Sequence, residues 1–169
     1  MKPITFKTYL EPQNKVGFGH ITVPAEIVEQ AGGFNTRLLC SINGNKAMHS
    51  GLMGKGDGRG MIIINKKRQK DWELNFTDEI TATIQLDHSK YGAEMPDELE
   101  AVLEQDRAGL AAFEKITPGQ QRFILGYVDG VKSVQKRVDR AIMLIENLKT
   151  MPPGSFDHRH IMGMPPREG

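Results

Sequence analysis

The chain has 169 residues, and its 22 Lys and Arg against 21 Asp and Glu leave a formal net charge of +1. A protein that binds nucleic acid by neutralising phosphates usually carries a clear basic excess, which this composition lacks. The single cysteine, Cys40, excludes an internal disulfide and a cysteine-based zinc site. No apolar run approaches the roughly 20 residues of a membrane span, and the N-terminus lacks the apolar core of a secretory signal, so we expect a cytoplasmic protein.

The charges are balanced regionally but clustered locally. Residues 1–95 carry 12 basic and 10 acidic side chains, and residues 96–169 carry 10 and 11. Neither part is therefore a basic arm or an acidic tail. Two basic clusters remain: Lys66, Lys67, Arg68 and Lys70, and then Lys132, Lys136, Arg137 and Arg140.

The N-terminal part of the chain has the pattern of short β-strands. Ile4–Leu10 alternates apolar and polar side chains, as expected of a strand with one face on a core. Asn43-Gly44 is a strong signal for a hairpin turn. Met61–Ile64 is apolar throughout, which predicts a strand buried on both faces. Similar patterns predict four further strands: Phe18–Val23, Arg37–Ile42, Lys46–Leu52 and Glu79–Leu86.

Two short helices and a glycine-rich segment complete this part. Pro24 fits the first turn of a helix that continues to Ala31 and stops at Gly32-Gly33, and Lys66–Asp71 has the composition of a second helix. Successive N–H groups in Gly54–Gly60 could cradle a phosphate. However, no Lys-Ser or Lys-Thr pair opens a helix after that segment, so it is not a P-loop. We expect a flexible hairpin connection there.

Two strand–helix–strand segments repeat at a nearly constant offset. Gly19–Pro24 and Gly60–Asn65 each contain a glycine, a short apolar strand and a helix-starting residue. Each leads through a short helix and a turn to another strand, at Leu38–Ile42 and Ile80–Ile84, with offsets of 41 and then 42 residues. Such self-similarity predicts a tandem duplication whose halves bury their apolar faces together as a small closed β-barrel capped by the helices.

The first repeat, residues 19–44, resembles the swapped-hairpin half-barrel of the AbrB and MazE group of bacterial regulators. In that group two chains each contribute one half, and basic residues on the barrel bind DNA. Residues 4–88 are also similar to a bacterial family known as domain of unknown function 1905, which implies a double-split β-barrel. The residues that carry this second resemblance are Ile21–Pro24, Ile42–Gly44, Leu52-Met53, Gly56–Gly58, Asn65-Lys66, Asp78–Ile80 and Asp87.

The C-terminal part of the chain has helical patterns. Pro96–Glu100 places proline and acids in a first turn, and Leu99, Val102 and Leu103 form the apolar face behind it. Thr117–Gln120 is a capping box that starts another helix. A short helix between these two contains Leu110, Phe113 and Ile116. The last helix carries an apolar stripe of Val131, Val134, Val138, Ala141, Ile145 and Leu148.

These helices resemble the C-terminal module of the YdeI/OmpD-associated family, which implies a link to protection against bacteriocins or antimicrobial peptides. That family usually has a Thr-Arg pair in its last helix, where this chain has Lys136-Arg137. The matching residues are Pro96–Leu99, Phe113, Thr117–Gly119, Arg122, Lys132, Arg137, Arg140, Ile145 and Leu148.

The candidate binding residues are basic, and each group has two interpretations. The first group either binds an acidic partner or a nucleic-acid backbone, or forms the solvated side of a short helix; it consists of Lys66, Lys67, Arg68 and Lys70. The second group either binds an acidic surface or an anion, or forms ion pairs with acidic residues such as Glu98 inside the protein; it consists of Lys132, Arg137 and Arg140.

Catalytic and metal sites are not indicated. No serine–histidine–acid set and no paired carboxylates of a hydrolase can be identified. Cys40 lies in a predicted strand and is expected to be a buried structural thiol. His158 and His160 lie in a segment rich in proline, glycine and methionine, so we expect neither a metal nor a cofactor.

We therefore predict an α+β protein with a duplicated β-barrel domain at 1–92, a helical module at 93–150 and a flexible tail at 151–169. The favoured function is a non-catalytic bacterial binding module, linked to antimicrobial-peptide or envelope-stress tolerance. Its expected partner is a protein or a small anionic ligand. The alternatives are a DNA-binding regulator related to AbrB-type half-barrels, which is possible but not favoured, and an enzyme of a class that the sequence does not name.

Overall fold

The computed structural model describes residues 1–13 and 18–168. It confirms the α+β class, because a curled sheet of seven strands is followed by helices. The chain divides into two compact units, Met1–His88 and Ser89–Gly169. Within the described ranges, no helix combines the length and the apolar character needed to cross a membrane.

Among the described residues, the first unit contains seven strands and two short helices of six residues each. The strands are β1 (Ile4–Pro12), β2 (Gly19–Val23), β3 (Arg37–Ile42), β4 (Met48–Gly51), β5 (Met53–Gly56), β6 (Arg59–Ile64) and β7 (Glu79–Leu86). The helices are α1 (Ala25–Gln30) and α2 (Lys66–Asp71). Every pairing is antiparallel, in the order β4-β3-β7-β1-β2-β6-β5.

One strand, β1, and one connection, at Leu52, join the two sides of the curled sheet. β1 pairs with β7 along Ile4–Tyr9 and then with β2 from Leu10 onward. The edge strands β4 and β5 are consecutive in the chain and are joined by Leu52, which is fully buried. The chain therefore runs directly from one edge of the half-barrel to the other.

In two of the strand pairs, residues that correspond in the sequence repeat lie opposite each other. In the β2–β6 pair Ile21 lies opposite Ile62, with Gly19 opposite Ile64 and Val23 opposite Gly60. In the β3–β7 pair Ser41 lies opposite Thr83. Ile21 and Ile62 are 41 positions apart, and Ser41 and Thr83 are 42 positions apart, which are the offsets of the sequence repeat.

The inner faces of the strands form the hydrophobic core of this unit. β3 and β7 show the alternation of a sheet with one buried face. The prediction that Met61–Ile64 is buried on both faces was wrong, because Ile62 and Ile64 are fully buried whereas Met61 and Ile63 are only partly so. An unbroken apolar run does not by itself show that a second layer covers the outer face.

The turns of the first unit follow the chemistry of their residues. Asn43 and Gly44 have φ angles of 50° and 75°, which confirms a turn at these residues, although β4 begins only at Met48, so the connection from β3 is longer than two residues. The same conformation recurs at Asp57-Gly58, with φ angles of 54° and 74°, so the glycine-rich segment is an ordered hairpin that includes β5. Pro24 is the N-cap residue of α1, one position before the helix begins, and not its first helical residue.

The second unit consists of helices. They are α3 (Asp97–Gln105), α4 (Arg107–Lys115), α5 (Pro118–Asp129), α6 (Val134–Lys149) and α7 (His158–Ile161). The capping box of α5 is confirmed, with Thr117 Oγ1 accepting from the Gln120 backbone and Gln120 Oε1 accepting from the Thr117 backbone. The side chains of Asp106, Ser133 and Asp157 likewise cap the first turns of α4, α6 and α7 by accepting from backbone N–H groups.

Phe113 and the inner face of α6 form the centre of the second core. Phe113, Ala141, Leu144 and Ile145 are all fully buried. Two expected core residues are not buried, since Leu110 is 39% exposed and Val134 is 60% exposed. In residues 151–168, where the sequence predicts a flexible tail, α7 buries Ile161 completely against this core.

Candidate functional site

The first predicted basic cluster occupies α2, but its four cations have different surroundings. Lys66, Lys67 and Lys70 are exposed, and Lys67 forms an ion pair with Asp71 one turn later. Arg68 is half-buried, and its backbone N–H donates to the Asn65 cap. Among the described residues, α2 therefore presents two exposed cations without an ion pair, Lys66 and Lys70, and the half-buried Arg68.

The second predicted basic group is largely engaged within the helical unit. Arg137 Nε donates to Glu98 Oε1 at 2.9 Å, and its Nη1 donates to the carbonyls of Val131 and Lys132. Arg140 Nη1 donates to the Tyr127 carbonyl at 2.7 Å, and its guanidinium lies 4.1 Å from the centre of the Tyr127 ring. These arginines connect α6 to α3 and α5, whereas the side chain of Lys132 is exposed.

A third charged group, which the sequence did not single out, lies at the C-terminal end of α6. Lys149 Nζ is 2.7 Å from both Asp106 Oδ2 and Glu146 Oε1. The Lys149 hydrogen bond is the largest cause of the lowered pKa of Asp106, and the Asp106 hydrogen bond is the largest cause of the raised pKa of Lys149. We call these three residues the Lys149 triad.

An apolar groove with an acidic rim runs between α3 and α6 and has a volume of about 560 Å³. Its apolar residues are Ala101, Val102, Val138 and Ile142, and its carboxylates are Asp97, Glu98, Asp106 and Glu146. Four carboxylates face only two ion-pairing cations, Arg137 and Lys149, so the rim has an excess of two negative charges. We call this feature the acidic groove.

A second cleft lies on the other side of the Lys149 triad and has a volume of about 620 Å³. It is bounded by α4, the start of α5, the end of α6 and the following turn at 151–155. Its apolar wall contains Ala108, Ala111, Ala112, Ile116, Leu148 and Met151. The cations at this cleft are Lys115 and Lys149, and we call it the lysine cleft.

The β-unit contains a compact polar cluster on its outer face. Thr22 Oγ1 donates to Glu11 Oε2 at 2.6 Å, Lys55 Nζ bonds to both of these residues, and His20 Nε2 lies 3.0 Å from the same Glu11 oxygen. The Lys55 hydrogen bond is the main cause that lowers the pKa of Glu11 to about 2. Burial, followed by repulsion from Lys55, lowers the pKa of His20 below its usual 6.5 despite the nearby carboxylate.

We expect this cluster to make the β-unit sensitive to acid. The unfolded chain protonates His20 at a higher pH than the folded chain, so stability should start to fall as the pH drops through about 6.5. Stability should fall further between pH 4.5 and about 2, where Glu11 is protonated first in the unfolded chain. Glu11 is 43% exposed, so with solvent screening we assign it only about 1 kcal/mol.

Urea unfolding at a series of pH values measures this dependence. Glu11→Gln should lower the free energy of unfolding near neutral pH and flatten its decline below pH 4.5. Glu29→Gln, at an exposed position of α1, is the matched control and should leave the profile unchanged. A Glu11→Gln profile that parallels the wild-type curve would show that the cluster does not contribute.

A buried histidine–aspartate pair is a second feature that sequence reasoning missed. His49 Nδ1 lies 2.7 Å from Asp87 Oδ2, and the Asp87 side chain is fully buried. The two residues are 38 positions apart, on β4 and just after β7, and no local motif marks them. The strand order β4-β3-β7 brings them together.

The remaining candidate residues take structural positions. Cys40 is fully buried, and burial raises the pKa of its thiol to about 12, so it is a poor nucleophile. His158 packs against Phe123 and Phe156, with ring centres 4.6 and 4.9 Å away. Across residues 1–13 and 18–168, no three His, Cys, Asp or Glu side chains are grouped so that they could hold a metal ion.

Comparison with known families supports the assignment of the helical unit. Residues 92–150 match the family described as "Bacteriocin-protection, YdeI or OmpD-Associated". This segment is roughly a third of the chain and contains α3 to α6, including the whole acidic groove. No curated protein matches the chain. The predicted resemblance of the helices is thus confirmed, and that of the β-unit to domain of unknown function 1905 stays a prediction.

Proposed function

We propose that the protein is a non-catalytic peptide-binding module linked to bacteriocin protection, and that its acidic groove holds a cationic amphipathic peptide. The observation that carries this proposal is the combination of an apolar floor and an uncompensated acidic rim in one groove. That groove lies within the segment that matches a family associated with bacteriocin protection.

The floor of the acidic groove suits an apolar side chain from a partner. Ile142 is 47% exposed on α6, although its neighbour Ala141 is completely buried. Together with Val102 and Val138 it forms an apolar strip between two helices. An amphipathic helix binds such a strip through apolar anchors spaced three or four residues apart.

The rim determines the sign of the partner's charge. Asp97 is exposed and has no ion pair among the described residues, and Lys149 alone faces both Asp106 and Glu146. Lys or Arg side chains of a peptide would therefore find acceptors that are not fully neutralised. An anion would be repelled here, and at Arg137 it would have to displace Glu98 from a 2.9 Å hydrogen bond.

Fluorescence anisotropy with a labelled amphipathic peptide of Leu and Lys tests this proposal on the full chain. The double variant Asp97→Asn, Glu146→Gln removes two rim charges and should weaken binding by about tenfold at low salt. Ile142→Ser should weaken binding by about fivefold because it removes an apolar anchor from the floor. Added salt should reduce the affinity of the wild-type chain.

Glu104→Gln is the matched control, because Glu104 is an exposed carboxylate of α3 that does not line the groove. It should bind the peptide like the wild-type chain. Equal losses in the control and in the rim variant would indicate only general attraction to an acidic surface. No measurable binding of the peptide by the wild-type chain would contradict the proposal.

The DNA-binding alternative is tested separately, by fluorescence anisotropy with a labelled DNA duplex at low salt. Its support is the exposure of Lys66 and Lys70 on α2 and the half-barrel likeness of residues 19–44. The +1 net charge and the Lys67–Asp71 ion pair weigh against it. Direct binding of DNA that is lost in the Lys66→Ala, Lys70→Ala variant would favour this alternative.

We also infer that the β-unit arose by tandem duplication. Residues that correspond in the two repeats lie opposite one another in each pair, Ile21 with Ile62 at the centre of β2–β6 and Ser41 with Thr83 next to the centre of β3–β7. A local twofold axis between two copies places equivalent residues in this way. The register therefore supports a common origin, with one inserted residue accounting for the change of offset from 41 to 42.

A further inference from the structure

We propose that the lysine cleft is a second ligand site, which takes a small amphipathic carboxylate, and that Lys149 couples this site to the acidic groove. The proposal of this second site does not depend on the proposed function. Only the coupling does, because it requires a peptide in the acidic groove. The cleft is large enough for a small molecule, since typical ligand sites have about 300–1,000 Å³.

The wall of the lysine cleft suits an alkyl chain. Ala108, Ala111 and Ala112 lie on one face of α4, because residues three and four positions apart share a helix face. Their short side chains leave a channel, and Leu148 and Met151 lie across from them. An alkyl chain in this channel would be shielded from water without displacing the helical core.

The cations of the cleft determine the charge of the ligand's head group. Lys115 is exposed and has no hydrogen bond or ion pair among the described residues. Lys149 contributes a second ammonium group, 26% exposed, at the boundary of the cleft. The carboxylates nearest to this boundary, Asp106 and Glu146, line the acidic groove and already accept from Lys149. Because these two carboxylates neutralise Lys149 in the free chain, Lys115 supplies the available positive charge of the cleft, and this charge favours a carboxylate over a cationic or neutral head group.

The Lys149 triad gives a physical route for coupling the two sites. A cationic peptide in the acidic groove would compete with Lys149 for Asp106 and Glu146. Lys149 would then be released to a carboxylate in the cleft, so each ligand should raise the affinity of the other. Because both hydrogen bonds of Lys149 are 2.7 Å long, the free chain holds the lysine on the groove side.

Isothermal titration of the full chain with decanoate, below its micelle concentration, tests the site. Decanoate should bind about tenfold more tightly than decanol, which has the same tail without the charge. Lys115→Met should weaken decanoate binding by about tenfold, and Ala111→Leu, which fills the cleft from an exposed helix position, should abolish it. Lys2→Met removes an exposed lysine that does not line the cleft and should have no effect.

Lys149→Met separates this inference from the proposed function because its two expected effects have opposite signs. It should weaken decanoate binding in the lysine cleft and strengthen peptide binding in the acidic groove, whose carboxylates lose their cation. Three outcomes would overturn the second site: decanoate does not bind, decanoate and decanol bind equally well, or Ala111→Leu binds decanoate normally. Each of them holds regardless of whether the peptide binds the acidic groove. Peptide affinity that does not change with saturating decanoate would overturn the coupling.

Discussion

Phe113→Ala is expected to lower the free energy of unfolding of the helical unit by about 3–5 kcal/mol, which is the cost of removing a large buried aromatic side chain. Phe113 is fully buried, and its ring packs edge-on against Tyr91 with ring centres 5.6 Å apart. Its carbonyl also accepts from Gln121 Nε2, which fixes the side chain of a nearly buried glutamine of α5. The cavity left by alanine would therefore lie where α4 meets α5.

Chemical denaturation followed by circular dichroism measures this loss. Leu110→Ala, on the same helix, is the matched control, and we expect a cost well under 1 kcal/mol because Leu110 is 39% exposed. Phe113→Leu should fall between the two, since it retains most of the apolar contact. Equal costs for Phe113→Ala and Leu110→Ala would contradict the packing of α4 described above.

Asp87→Ala is expected to lower the free energy of unfolding of the β-unit by about 1–3 kcal/mol, because it leaves the His49 ring without the acceptor that the fully buried Asp87 side chain supplies. The Asp87 side chain is fully buried and bonds to His49 Nδ1 at 2.7 Å, while its backbone N–H donates to the Arg37 carbonyl. Alanine would leave His49 without this acceptor at the point where β4, β3 and β7 are adjacent. Local loosening of these strands should follow.

Hydrogen exchange and urea unfolding of the full chain measure this effect. Asp57→Ala is a suitable comparison, since Asp57 is 88% exposed and forms a 3.3 Å ion pair with Arg59 in the same unit. Exposed pairs of this kind contribute about 0–1 kcal/mol. Exchange in Asp87→Ala should accelerate most in β3, β4 and β7. Loss of stability no greater than in Asp57→Ala would show that the buried pair is energetically neutral.

Helix starts and turns were predictable because each depends on a few consecutive residues. The capping box at Thr117–Gln120 and the hairpin turn at Asn43-Gly44 were both predicted at the right positions. Burial was less predictable: Val134 fits the apolar stripe of α6 but is 60% exposed. Helical periodicity states which residues share a face, whereas burial depends on whether another element covers that face.

The acidic groove could not be identified from the sequence for a related reason. Its carboxylates lie on two helices, and the cations that neutralise some of them are distant in sequence. Arg137 and Glu98 are 39 positions apart, and Lys149 and Asp106 are 43 positions apart. Arg137 and Arg140 are anion-binding candidates by sequence, but in the structure both donate to internal acceptors. Counting basic residues cannot distinguish a free cation from a paired one.

The amino-acid sequence by itself determined the α+β class, most strand and helix positions and the likeness of the helices to a bacteriocin-protection family. These properties are encoded in short-range periodicity, in turn and cap residues, and in motifs along the chain. Only the tertiary structure decided which charges remain unpaired and where apolar side chains lie uncovered. Both depend on residues that folding brings together from distant positions, as in the Lys149 triad and the His49–Asp87 pair.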